Sequence, residues 1–187
     1  MELLRKNLLD YHSLSDEITA QFISHFKLEE LRKGDYILKY GQVCKQIGFV
    51  EEGSIVYLAH NGRDEKVCDF AFEGQWVTYV KSLMSGNPSE LSIQASEPLL
   101  IAVIDTDSIH QLSQAVPQSI ALQHKLMQDG MVEMAQRSVD LVHLTAEERY
   151  QKLLKSHPQL FQRFPLGHIA SYLGITQRHL NRLRGGK

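Results

Sequence analysis

The polar residues with the clearest chemical potential lie near the C-terminus, around the apolar pair Leu180 and Leu183. Arginine can donate two hydrogen bonds to a guanine edge, and glutamine or asparagine can pair in the same way with adenine. Threonine hydroxyls and cationic side chains bind phosphate oxygens. These residue types therefore indicate contact with a nucleic acid. We predict base-edge contacts for Gln177, Arg178 and Arg182, backbone contacts for Thr176, His179 and Arg184, and a further polar contact for Asn181.

The residues around this segment predict the helices that would hold it. Pro165 favours the start of one helix and Gly174 its end, while Thr176 favours an N-cap for the next. Two short helices joined by a tight turn are typical of the helix-turn-helix motif, whose second helix enters the major groove of DNA. The sequence therefore predicts a recognition helix that begins after Thr176.

Charge is distributed unevenly along the 187 residues. Residues 145–187 carry eight lysines and arginines against two acidic residues, whereas residues 1–144 carry twelve against twenty. The net charges are +6 and −8. A basic C-terminal part joined to an acidic body favours a polyanionic partner, and double-stranded DNA is the partner that the motif predicts.

The composition argues against several other classes of protein. Cys44 and Cys68 do not form a CxxC pair, and the nine histidines show no HExxH spacing, so we expect no metal site and no cofactor. His60 lies in a predicted strand without a nearby histidine, which argues against a metal-dependent enzyme. The N-terminus lacks signal-peptide features, and the longest apolar run, 98–104, is too short to cross a bilayer. We expect a cytoplasmic protein that is not an enzyme and has no membrane partner.

Short apolar segments predict a body made of β-strands. Over 31–106 they alternate with glycines and polar turns, which is typical of a small antiparallel β-barrel or jelly roll. Asn61-Gly62 predicts a hairpin turn, and 77–89 predicts a short helix and loop between strands. A helix capped by Ser13 or Ser15 precedes the strands and ends at about residue 26.

A long helical segment follows the strands. Helical periodicity covers 107–143, with Pro117 at a break or in a first turn. Steps of four and three residues along it match the a/d seam of a coiled coil, which favours pairing with a second copy; packing on its own body is the alternative. The seam consists of Ile120, His124, Met127, Met131, Met134, Ser138 and Leu141. Thr145 and Glu148 then form a capping box that begins a new helix.

Two long segments carry a family resemblance. LRKGDYILKYGQVCKQIGFVEEGSI resembles the opening strands of the cyclic nucleotide-binding-like domain in the Crp/Fnr family of bacterial transcription regulators. LTAEERYQKLLKSHPQLFQRFPLGHIASYLGITQRHLNRLR resembles the tails of small Bacteroidetes members. The resemblance implies an α+β fold: a sensory β-barrel or jelly roll with flanking helices at 1–116, a dimerisation helix at 117–144, and an all-α helix-turn-helix domain at 145–187. It implies a homodimeric DNA-binding regulator, with RNA polymerase as a further candidate partner.

The same resemblance locates a candidate effector pocket. Members that respond to cyclic AMP carry a Gly-Glu pair for the ribose and an Arg-Ser pair for the cyclic phosphate, after a glycine of the type of Gly74. Aligned without gaps, these positions are Thr78, Tyr79, Ser89 and Glu90, and 64–136 contains no arginine. A phosphate beside Glu90 would lack a guanidinium partner, so we expect cyclic AMP not to be the effector unless Lys81 substitutes. An unidentified small molecule or a pocket filled by side chains are the alternatives.

Few residues follow the predicted recognition helix. Only Gly185, Gly186 and Lys187 come after Arg184, so we expect no full two-stranded wing of the kind common in the family. Specific readout would then depend mainly on this helix. The alternative function is a small-ligand-binding sensory module whose C-terminal domain contacts a protein partner rather than DNA.

Overall fold

Two antiparallel sheets lie at the centre of the computed structural model, which describes residues 1–10, 14–60 and 64–185. The strands in this part of the chain are β1 (Lys27–Leu31), β2 (Tyr36–Leu38), β3 (Gln46–Glu52), β4 (Ile55–His60), β5 (Glu65–Ala71), β6 (Trp76–Val77), β7 (Leu91–Ala95) and β8 (Leu99–Asp105). One sheet has the order β1-β8-β3-β6 and the other β2-β7-β4-β5. The predicted jelly roll is confirmed. In the described residues the sheets do not close into a barrel: β1 and β6 are the edges of one sheet, and β2 and β5 are the edges of the other.

Successive residues of the central strands face different cores. Val50 and Ile101 lie between the two sheets, whereas their neighbours Phe49 and Ala102 face helices on the outside. Strands covered on both faces have nearly continuous apolar sequences, which explains LLIAVI in β8. The cores on both sides of this sheet fix its register, because a shift of one residue would exchange the two faces.

The turns between strands agree with the predicted pairing. Gly53 joins β3 to β4 with a φ of +97°, and a Cβ there would lie 2.4 Å from the carbonyl oxygen of Pro98. Only glycine fits this position. Strands β4 and β5 pair antiparallel from His60 and Glu65 onward, as expected for a hairpin. The predicted Asn61-Gly62 turn itself lies outside the described residues.

The helices of the described residues flank the sheets and continue beyond them. They are α1 (Glu2–Asp10), α2 (Asp16–Ile23), α3 (Val80–Ser85), α4 (Thr106–Ala115), α5 (Gln118–His143), α6 (Ala146–Ser156), α7 (Leu160–Arg163), α8 (Leu166–Leu173) and α9 (Gln177–Arg184). Ser15 caps α2 by accepting a hydrogen bond from the Ile18 N–H, while the alternative cap, Ser13, lies outside the described residues. Helix α2 ends before residue 26 because the chain turns into β1.

Helix α1 was not predicted, and a buried acid holds it in place. The Glu51 carboxylate, on β3, accepts hydrogen bonds from the backbone N–H groups of Leu3 at 3.0 Å and Leu4 at 2.8 Å. A carboxylate is favourable at this position because the first N–H groups of a helix have no partner within it. Leu4 and Leu8 are fully buried against the same sheet.

Most of the surface of helix α5 is exposed beyond its first turns. The predicted helical stretch over 107–143 consists of α4 and α5, which separate at Pro117. Only Ser119 and Leu122 of α5 are buried. Within the described ranges, no helix combines the length and the apolar character needed to span a membrane.

Candidate nucleic-acid interface and sensory pocket

Helices α8 and α9 form the predicted helix-turn-helix motif. Gly174 ends α8 with a φ of +71°, and the N–H of Ile175 donates to the carbonyl of Ala170 at 2.9 Å. Thr176 then caps α9, since its hydroxyl accepts a hydrogen bond from the His179 N–H at 3.2 Å. The N–H donors at the start of α9 and the carbonyls at the end of α8 are thus partly satisfied by the turn itself.

Most of the polar residues of the motif are exposed. Leu180 is fully buried and Leu183 is half-buried, so the opposite face of α9 is open. Among the described residues, no carboxylate forms an ion pair with Arg178, Arg182 or Arg184. His179 is half-buried, and the exposed members of the predicted set are Thr176, Gln177, Arg178, Asn181, Arg182 and Arg184.

Helix α6 supports the motif from behind. The capping box predicted at its start is confirmed, because Thr145 and Glu148 exchange hydrogen bonds between side chain and backbone. Arg149, one turn further on, donates to the carbonyl oxygen of Leu173 at 3.2 Å. This bond satisfies a carbonyl at the C-terminal end of α8, where a cation is favoured.

The C-terminal helices are docked on the outer face of the β4–β5 sheet. Phe164 packs edge-on against Phe70, with ring centroids 4.4 Å apart, and against Phe72 at 5.8 Å. The Val67 N–H, on the free side of edge strand β5, donates to the Ser171 hydroxyl at 2.9 Å. Helix α8 therefore covers part of an edge that would otherwise be open to pairing with another strand.

Arg163 forms the polar part of this contact. Its guanidinium donates to both carboxylate oxygens of Glu73, at 2.8 and 2.7 Å, and also to Glu97. It lies over the ring of Phe72, 5.2 Å from the centroid. Hydrogen bonds from this guanidinium hold the pKa of Glu73 below its ordinary range and raise the pKa of Arg163. The side chains are only partly exposed, so water weakens this ion pair less than it weakens a surface pair.

The structure brings together three of the five predicted pocket residues. The Lys81 ammonium lies 2.7 Å from both carboxylate oxygens of Glu90, and the Tyr79 hydroxyl donates to the same carboxylate at 3.2 Å. The side chains of Lys81 and Glu90 are largely exposed. Hydrogen bonding between them lowers the pKa of Glu90 and raises that of Lys81. Lys81, the cation that would replace the missing arginine, is therefore already paired with Glu90.

The other two pocket residues point elsewhere. Thr78 donates to the Gln46 carbonyl at 3.0 Å and lines a cavity of about 130 Å³ between the sheets, together with Cys44. Ser89 is buried, and its hydroxyl donates to the carbonyl of Leu91 at 2.7 Å. The cavity is smaller than the roughly 300 Å³ at which ligand pockets usually begin. Among the described residues, no group of three or more His, Cys, Asp or Glu side chains is placed to hold a metal ion.

The predicted seam residues all lie on the open part of α5 or at its start. Met131 and Met134 are 67% and 71% exposed, and the remaining exposed members are Ile120, His124, Met127, Ser138 and Leu141. Val132, Val139 and Val142 are also exposed, although the predicted seam did not include them. The spacing of seven residues between Val132 and Val139 could have predicted that they extend the apolar surface of α5.

Sequence reasoning missed the residues that join the two halves of the chain. Arg163 lies 90 residues from Glu73, and Ser171 lies 104 residues from Val67. Arg137, on α5, belongs to the same contact, since it lies over the Tyr172 ring at 4.2 Å and 3.7 Å from the Asp69 carboxylate. No local pattern marks such pairs.

Comparison with known proteins gives one domain match and several similar folds. Residues 28–115 match the family model of the cyclic nucleotide-binding domain. The c-di-GMP-responsive global regulator CLP of Xanthomonas campestris has a TM-score of 0.72 at 16% identity, covering 92% of this chain and 91% of that chain. A CooA variant from Carboxydothermus hydrogenoformans has a TM-score of 0.72 at 15% identity, covering 96% and 83%. A transcriptional regulator from Eubacterium rectale, assigned to the Crp/Fnr family, has a TM-score of 0.69 at 13% identity, covering 92% and 83%. No curated protein matches the sequence.

Proposed function

Because residues 28–115 belong to the cyclic nucleotide-binding domain family and the chain has the fold of the Crp/Fnr regulators, we propose that it is a sequence-specific, DNA-binding transcription regulator that acts as a homodimer. The observation that carries this proposal is the exposed polar face of α9, whose arginines have no ion-pair partner among the described residues. The proposal includes the domain division expected from the sequence: a sensory part at 1–116, a dimerisation helix at 117–144 and a DNA-binding part at 145–187.

The roles proposed within α9 follow from the order of residues around the helix. Arg178 and Arg182, two residues before and after the buried Leu180, lie on the opposite side of α9, so they point away from the packed side and suit base edges. Gln177 is a further base-edge candidate, and Asn181 is a further polar contact beside Arg178. The backbone contacts are assigned to Thr176, His179 and Arg184.

Dimerisation is proposed through α5. Methionines at steps of four and three residues form an apolar surface that the chain itself leaves uncovered, as Met131 and Met134 show by their exposure. A second copy of α5 has the matching surface, because a two-fold axis brings identical residues together. Two copies of α9 would then enter successive major grooves about one helical turn apart.

The effector proposed for this regulator is not cyclic AMP. A cyclic phosphate near Lys81 would have to displace the carboxylate of Glu90 or lie beside it, and both outcomes are unfavourable without an arginine. The effector is then either an unidentified small molecule or absent, with the pocket filled by side chains. CLP, which has a similar fold, is a c-di-GMP-responsive regulator, so c-di-GMP is a further test ligand. At a hundredfold excess over Kd a bound effector adds about 2.7 kcal/mol of stability, so thermal unfolding with cyclic AMP or c-di-GMP separates these cases.

Selection of bound sequences from a random DNA pool tests the proposal. We expect a two-fold-symmetric motif with half-sites about 10 base pairs apart. Arg178→Ala should relax the preference at one position in each half-site, and Arg184→Ala should weaken binding to all sequences. Arg5→Ala, which removes an arginine on α1, is the matched control. If the wild-type protein shows no salt-dependent affinity for DNA, the sensory module with a protein partner becomes the better function.

Two further expectations belong to the same proposal. A regulator of chromosomal genes acts in the cytoplasm and is not an enzyme, and RNA polymerase stays a candidate partner. Copurification of the polymerase with the DNA-bound dimer would test the last point.

A further inference from the structure

A cationic cleft lies where the sheet meets the helix-turn-helix motif. Its volume is about 510 Å³, and its walls come from both parts of the chain. Lys66, on β5, forms one side, and Thr176, His179 and Arg182 form the other. The remaining lining residues are neutral, so no carboxylate faces the cleft among the described residues.

The acid next to Lys66 in the sequence contacts another residue. The closest acid in sequence to Lys66 is Glu65, whose carboxylate lies 3.6 Å from Nδ1 of His60. In the part of the chain that the structure describes, neither Lys66 nor Arg182 forms an ion pair. An anion that enters the cleft would therefore meet positive charge from two sides.

The contacts next to the cleft hold Lys66 at a fixed distance from α9. Val67, the residue after Lys66, donates its N–H to Ser171, and the same Ser171 lines the cleft. Arg163 and Phe164 fix the same pair of elements further away. The cleft thus belongs to the docked arrangement and would open if the helices moved away.

We propose that this cleft binds a phosphate group of the DNA backbone, with Lys66 contributed by the sensory part and Thr176, His179 and Arg182 by the recognition helix. Arg182 then contacts the backbone in place of the base edge assigned to it from the sequence. This inference rests on the proposed function. A helix in the major groove has backbone phosphates along both of its flanks, and the cleft lies along one flank of α9. The DNA contact surface therefore extends onto the sheet, and full affinity requires the docked arrangement.

Salt-dependent binding of Lys66→Ala tests the proposal. Against the motif found in the random-pool selection and against unrelated DNA, we expect a loss of roughly threefold to fivefold per protomer, and therefore of about tenfold to twenty-fivefold for the dimer. Because each protomer loses one phosphate contact, the slope of log affinity against log salt should become shallower by about 1.8, at about 0.9 for each contact. Lys66→Arg should retain both, and Lys6→Ala, at an exposed lysine of α1, is the matched control. Arg182→Ala should lower affinity less in the Lys66→Ala background, because the two cations share one phosphate.

The outcomes separate this inference from the proposed function. If wild type binds DNA and Arg178→Ala changes its base preference, but Lys66→Ala behaves as Lys6→Ala does, only the cleft proposal is wrong. If the wild-type protein shows no salt-dependent binding, the proposed function itself is wrong.

A free phosphorylated ligand is the other source of the same chemistry. Calorimetric titration of the DNA-free protein with inorganic pyrophosphate distinguishes it. We expect no saturable binding. Saturable binding that Lys66→Ala abolishes, with DNA affinity unchanged, would assign the cleft to a small anion and overturn the DNA assignment.

Discussion

Arg163 should contribute far more to stability than an ordinary surface arginine. Its side chain is 24% exposed, it forms a two-oxygen contact with Glu73, and it reaches Glu97 as well. Replacement by alanine would leave the two carboxylates beside each other without a counter-charge. The two carboxylates, both on the β-sheet body, would then repel each other, and the ion pairs that join α7 to this body would be lost.

The size of the effect follows from the exposure of the three side chains. Exposed ion pairs contribute up to about 1 kcal/mol, and removing one partner of a buried pair costs about 3–5 kcal/mol. The pair of Arg163 with Glu73 lies between these limits, and the stacking on Phe72 adds about 0.5 kcal/mol. We expect Arg163→Ala to lower the free energy of unfolding by about 2–3 kcal/mol. For a chain of this length that corresponds to a fall in Tm of roughly 4–12 °C.

Scanning calorimetry of four variants measures this cost. Arg5→Ala is the matched control, because Arg5 pairs with Asp16 on α1 and both side chains are well exposed. We expect it to lower the Tm by no more than a few degrees. In the background of Glu73→Gln with Glu97→Gln, the cost of Arg163→Ala should fall by more than half, because no bare carboxylates remain.

Two results would refute this reasoning. One is a Tm for Arg163→Ala that matches that of Arg5→Ala. The other is an equal cost of Arg163→Ala with and without the glutamine replacements, which would mean that the guanidinium acts through packing alone.

Three other predictions concern pH, the sheet edge and the dimer. Because the pKa of Glu73 is lower in the folded chain than its unfolded value of about 4.3, its ion pair stabilises above that value, and the stabilisation is lost as pH falls through the folded pKa. The difference between wild type and Glu73→Gln in urea unfolding should therefore be constant at neutral pH and shrink as the pH falls below the unfolded pKa of Glu73. Ser171→Ala should cost about 1 kcal/mol and speed hydrogen exchange at the Val67 amide; unchanged exchange would exclude the bond. Met131→Glu should convert the proposed dimer to monomers in light scattering, while Met84→Glu, at an equally exposed methionine on α3, should not.

Local interactions explain why so much of this molecule was predictable. The caps at Ser15, Thr145 and Thr176 each involve partners three residues away, and Gly174 ends α8 through its own backbone conformation. Helix α1 was missed although Leu4 and Leu8 have helical spacing. Its position depends on Glu51, more than forty residues away, which no local pattern identifies.

The candidate site also has some features that the sequence determines and others that only the tertiary structure determines. The polar face of α9 follows from its own helical period, because Leu180 must be buried and the residues opposite it must then be exposed. The sequence alone also shows that 64–136 contains no arginine that could pair with a cyclic phosphate. Only the tertiary structure paired Lys81 with Glu90, and only it placed Lys66 beside Arg182 and joined Arg163 to Glu73 and Glu97. Helical period and caps arise within a few residues, whereas these contacts form only when the sheet and the C-terminal helices pack together.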